Sequence, residues 1–253
     1  MVSAYYFTYD GVFSGRYGLK IADFNDDPVV EDEAFSPALS TQKAPRQLRF
    51  YPNGITYDSL PAHEFTLVSE DIIPPEIQGE VMSWLIGGTQ FKPLVFHQPD
   101  REPVTYYCIF TASNNIYINS NLHAFKLTAT FDSQFCRGTP ITKTVQSSGT
   151  ITIFNQSDFN GYTYPTVSFT GDVSIVNTTD DAERAFTFSG LSSSLSVVVN
   201  NETKTITPSD GSFILDKFTT KNWLRLRRGN NALQITCSNP VTISSPIYKM
   251  IAF

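Results

Sequence analysis

The stretch PPEIQGEVMSWLIGG, residues 74–88, constrains the fold more than any other part of the chain. Pro74 and Pro75 open it. Proline suits the first helical position, where its missing N–H has no partner to lose. Glu76 and Glu80 follow in the first turns, at the positive end of the helix dipole. Ile77, Val81, Trp84 and Leu85 recur at i, i+4, i+7 and i+8, one apolar face at the helical period. Gly87 and Gly88 end the pattern, and a left-handed glycine is the expected stop. A helix with one apolar face must cover something. The rest of the first half reads as strands, so the expected partner is a sheet.

Residues 4–9 (AYYFTY) form the first predicted strand and Asp10-Gly11 a turn, after which 13–21 continue in alternation. Residues 23–33 are an acidic run broken by Pro28, which includes Asp26, Asp27 and Glu31. Residues 35–50 carry Lys43, Arg46 and Arg49 around Pro45, a basic patch on a hairpin arm or long loop. Strands are expected at 64–68, 91–96, 104–111, 114–119 and 124–131. In the last, Leu127, Ala129 and Phe131 alternate with Thr128, Thr130 and Asp132, the period of a half-buried strand. A domain boundary is expected near Gly138, dividing the chain into 1–138 and 139–253. Beyond it come short strands at 151–154, 166–170, 173–177, 184–188, 194–199, 204–206, 213–215, 224–227 and 232–236. That spacing is the signature of an all-β sandwich. Residues 199–202 (VNNE) and 228–231 (RGNN) read as hairpin turns.

Composition narrows the function. The 253 residues include 20 Phe and 12 Tyr, with 41% hydrophobic and 17% charged, which makes a globular, strand-favouring chain. Residues 1–138 hold 9 Lys/Arg against 16 Asp/Glu, a net −7, while 139–253 hold 9 against 8, a net +1. An acidic first half argues against gripping nucleic acid by its phosphates. The three cysteines, Cys108, Cys136 and Cys237, show no metal-binding spacing and read as buried free thiols. Lacking a signal-like segment or an apolar run of about 18 residues, the chain reads as soluble, made in a reducing cytoplasm and not inserted in a membrane.

Catalytic signals are weak. His63, His97 and His123 lie in no metal spacing, and no nucleophile elbow or phosphate loop occurs. Asp180, Asp181 and Glu183 cluster, but nothing places a carboxylate pair across a cleft. No cofactor or metal is expected, and an enzyme ranks last. Tyr162, Tyr164 and Trp223 could stack on sugars, which makes a stand-alone carbohydrate-binding module the alternative reading. Leu224, Arg225, Leu226 and Arg227 alternate, with Arg228 next. The three arginines are either a solvated outer face or a docking surface for an acidic partner.

The order of features resembles the distal tail protein (Dit) family of long non-contractile-tailed bacteriophages. The resemblance rests on FTYDGVFSGRYGLKI, EFTLV, the helix ending WLIGG, FKPLVF, YYCIFT, AFKLTATFDSQF and the closing NWLRLRRGNNALQIT. It spans nearly the whole chain. It implies a mainly β protein with an N-terminal tail-tube-like β-sandwich carrying one helix, then a galectin-like C-terminal sandwich. It further implies a homo-hexameric ring at the distal end of the virion tail. That ring would join the tail tube protein to the tip protein, hold adsorption proteins outward, and leave a channel through which DNA passes unbound. The ring contact is expected between Lys43, Arg46 and Arg49 of one copy and Asp26, Asp27 and Glu31 of the next. Many relatives carry a glycine-rich arginine turn where this chain has Lys43-Ala44-Pro45-Arg46.

Overall fold

The computed structural model describes residues 4–22, 38–43, 50–56, 60–69, 71–99, 102–118 and 120–251. They divide into two compact units: residues 1–136 with 251–253, and residues 137–250.

The first unit contains β1 (Ala4–Tyr5), β2 (Phe7–Tyr9), β3 (Val12–Phe13), β4 (Leu19–Ala22), β5 (Ala38–Lys43), β6 (Phe50–Thr56) and β7 (Ala62–Ser69). Helix α1 (Pro75–Ile86), β8 (Lys92–Phe96), β9 (Thr105–Ile118) and β10 (Asn121–Phe131) follow. Its antiparallel strands run in the order β1-β4-β7-β10-β9-β8-β2-β3. β5 and β6 pair with each other in a separate two-stranded antiparallel sheet. Asp10 and Gly11 take φ of 49° and 77°, the doubly left-handed turn whose twist suits a two-residue hairpin. A 3-10 turn at Ser14–Tyr17 interrupts what reads as one strand over 13–21. The predicted strands at 104–111 and 114–119 are one, β9.

Helix α1 packs on the sheet as expected, with two corrections. Val81 and Leu85 are fully buried among Phe7, Tyr9, Leu94 and Phe110. Trp84 lies flat on Phe7, with centroids 5.7 Å apart and planes 5° from parallel, and its Nε1 donates to the Tyr9 carbonyl at 3.0 Å. Ile77 is instead exposed, at 36%. Gly87 is right-handed, with φ −69° and ψ −5°, and its N–H bonds to the Ser83 carbonyl. Glycine is needed there because a Cβ would run into that same carbonyl.

β11 (Phe135–Val145) leads into the second unit, followed by β12 (Gly149–Asn155), β13 (Thr166–Thr170), β14 (Val173–Asn177) and β15 (Ala185–Phe188). β16 (Ser196–Asn200), β17 (Thr205–Pro208), β18 (Gly229–Cys237) and β19 (Val241–Met250) complete it. One sheet is β12-β18-β14-β15. The other runs β19-β13-β16-β17, with β11 beside β19. Alternate side chains of both sheets fill one core, including Ile153, Val167, Ile175, Phe186, Val199, Leu233 and Ile243. This is the sandwich arrangement, and the mainly β reading holds.

Several local readings fail here. Residues 213–215 lead into a 3-10 turn at Leu215–Lys217 and form no strand. Residues 224–227 make one isolated bridge, Leu226 to Thr163. Gly229 to Asn231 begin β18 and make no hairpin. The β16–β17 connection does turn at Asn201 to Lys204, with Lys204 at φ 58°. β19 is a further strand, with Val241, Ile243, Ser245 and Ile247 buried and Thr242, Ser244 and Pro246 half-buried between them.

Candidate functional site

The second unit organises its polar chemistry around residues 223–229. This segment lacks a strand ladder, yet Leu224 and Leu226 are 4% and 0% exposed. Its buried backbone groups still need partners. Leu226 exchanges both backbone hydrogen bonds with Thr163, and side-chain amides serve its neighbours. Asn201 accepts from the Leu224 N–H at 2.8 Å, and Asn177 donates to the Arg225 carbonyl at 3.0 Å. Asn231 accepts from the Arg227 N–H at 2.9 Å and donates to the Arg227 and Gly229 carbonyls. Asn155 also donates to the Arg227 carbonyl, at 3.1 Å. All four asparagines are buried.

Held this way, the segment turns its arginines outward over Asp180. Arg225 Nε lies 2.7 Å from Asp180 Oδ2, and Arg227 Nε lies 3.0 Å from Oδ1. The Tyr162 hydroxyl donates to Oδ1 at 2.9 Å, and the Arg225 guanidinium covers the Tyr162 ring at 4.0 Å. The Asp180 side chain is 3% exposed. Burial works against its charge, but hydrogen bonds from Arg225 and Tyr162 together with the Arg225 charge prevail and hold the carboxyl below its ordinary range. Arg228 is exposed and donates to Asn160 Oδ1 at 3.0 Å. Of the three expected docking residues, Arg225 is half-buried, and Arg227 and Arg228 reach solvent.

Two of the three sugar-stacking candidates have internal ring contacts, and Tyr164 is half-buried. Arg225 covers Tyr162, and Trp223 meets Phe218 edge-on at 5.0 Å. Cys108 and Cys136 are buried and Cys237 half-buried, all as free thiols. Burial, with Asp132 nearby, pushes the Cys108 thiol up to about 12. No group of His, Cys, Asp and Glu among the described residues could hold a metal ion, and no helix there is long and apolar enough to cross a membrane. Of the expected ring-contact residues, Asp26, Asp27, Glu31, Arg46 and Arg49 lie outside the described residues, as does the Lys43 side chain at the end of β5. The first unit shows an exposed aromatic group: Tyr6 and Phe13 lie 5.2 Å apart, and Phe13 meets His97 edge-on at 5.5 Å.

Sequence reasoning found the arginines but missed the Asp180 clamp and the four asparagines. The alternation of leucine and arginine was the available signal for the former. The asparagines sit at strand ends far apart in sequence and carry no spacing signal.

No curated protein matches the sequence. The family described as phage tail protein N-terminal domain matches residues 2–133, and phage tail C-terminal domain matches 138–245. The solved structure of SPP1 Dit (gp 19.1), titled a paradigm of hub adsorption apparatus in Gram-positive infecting phages, is similar at TM-score 0.70 and 13% identity, over 97% of this chain and 99% of that one. A chain of the phage P2 baseplate in its activated conformation with Ca is similar at TM-score 0.56 and 7% identity, over 97% and 98%. At these identities the likeness to solved structures is one of fold. The chain belongs to the phage tail protein family, and its fold is that of a distal tail protein.

Proposed function

We propose that this chain is the hub at the distal end of a phage tail. Six copies close head-to-tail into a ring that joins the tail tube to the tip protein and leaves a channel for DNA. The observation that carries the reading is the agreement in fold with a Dit hub protein over 97% of this chain. The charge distribution fits it. The net −7 of residues 1–138 repels passing phosphates, whereas cationic contacts would retain the DNA. Lys43, Arg46 and Arg49 of one copy meet Asp26, Asp27 and Glu31 of the next, which sets register by charge. The second unit is a galectin-like sandwich that faces outward and holds adsorption proteins, with Arg227 and Arg228 as its basic contact surface. A stand-alone carbohydrate-binding module is disfavoured because Arg225 covers the Tyr162 ring that such a module would offer.

Gold-labelled antibody against the purified chain tests the position. Label at the tail end away from the capsid is expected on intact virions. Label along the whole tail, on the capsid, or on no virion would overturn the hub reading.

A further inference from the structure

The sheet β12-β18-β14-β15 has two edges, finished differently. The β15 edge is closed: Phe188 bridges Phe218, the Thr219 N–H donates to the Thr187 carbonyl, and the Thr187 N–H donates to Thr220 Oγ1. In the opposite sheet, edge strand β17 is four residues long and ends in Pro208. Shortness, proline and covering segments are the usual guards against unwanted strand pairing. β12 has none of them. It is seven residues, GTITIFN, in unbroken register with β18 from Gly149 to Asn155, without charge, proline or bulge. Among the described residues, its backbone between Gly149 and Phe154 pairs with β18 alone. Thr150, Thr152 and Phe154 point outward and are exposed, Phe154 by 57%. Their partners on β18, Gln234, Ala232 and Asn230, are uncharged, and Gln234 and Asn230 are exposed too.

We propose that β12 pairs antiparallel with β12 of a second copy of this chain, about a twofold axis through Thr152. The strand is self-complementary in that register. Thr152 meets its own counterpart, Thr150 lies opposite Phe154, and Ile151 lies opposite Ile153. Threonine pairs and aromatic pairs with β-branched residues are favourable across strands, and no like charges oppose each other. The contact is isologous and so closes on itself, unlike a ring contact. It stands or falls independently of the hub reading.

The test is disulfide trapping in the full-length chain. Directly opposed residues of an antiparallel pair have Cα atoms about 4.5–5.5 Å apart, within disulfide reach. Under mild oxidation, Thr152→Cys should form a linked pair of about 56 kDa, twice the 28.2 kDa chain, on a non-reducing gel. Gln234→Cys, exposed on the same face one strand inward, should stay unlinked, as should the native chain with its half-buried Cys237. Thr152→Lys, which opposes like charges across the axis, should abolish concentration-dependent pairing while leaving the circular dichroism spectrum unchanged. Failure of Thr152→Cys to link, including because another protein's strand fills the edge, would overturn the proposal. Equal linking by Gln234→Cys would do so as well.

Discussion

Asp180 is the residue on which the surface of the second unit turns. It receives two guanidinium groups and a phenol while itself nearly sealed from water. Replacing it by Asn keeps the shape but removes the charge that both arginines share. Asp180→Asn should cost about 2 kcal/mol of unfolding free energy at neutral pH, the scale of hydrogen bonds to a charged group. The pH dependence has a definite sign. The folded carboxyl titrates below its unfolded value, so its stabilisation is complete above the unfolded pKa of about 3.9 and fades as pH falls through the folded value. Denaturant melts at pH 7 and pH 3 should therefore show the gap between native chain and variant narrowing in acid. An equal gap at both would contradict the ion-pair account. At this scale the sequence was half legible. Which side chains of 224–227 face inward followed from their alternation. The conformation did not, because apart from the Leu226 bridge the segment is held by the side chains of Asn155, Asn177, Asn201 and Asn231, which no strand pattern anticipates.

Among elements, α1 was legible because its signals agree: proline at the start, a helical apolar period, and glycine at the end. Its details show where local rules stop. Ile77 shares the helical period of Val81 and Leu85 yet is exposed, which is settled by tertiary packing and not by the period. Gly87 serves by lacking a Cβ near the Ser83 carbonyl, not by turning left-handed. Leu85, like Val81, is fully buried in the core of the first unit. Leu85→Ala should destabilise that unit by about 3 kcal/mol through lost burial and a residual cavity, read as a shift in denaturant midpoint. Ile77→Ala should cost less than about 0.5 kcal/mol, as an exposed site does. Similar losses at both would mean the helix is seated on another face. The strands were legible where period-two patterns ran long, as in β10, and illegible where order came from distant partners, as in the merger of two readings into β9.

For the whole molecule, the mainly β class and the family could be read from the order of elements. The assembly rests on surfaces that alternation and capping do not encode. The central claim is that six copies make one ring. The direct measurement is the mass of the full-length chain by light scattering across a concentration series, alone and with the tail tube protein. Using Thr152→Lys keeps any β12 pairing out of the result. A ring should give a species of six 28.2 kDa chains, about 169 kDa, and Arg46→Glu combined with Arg49→Glu should shift it toward single chains. A 28.2 kDa species at every concentration, with and without the tube protein, would contradict the account.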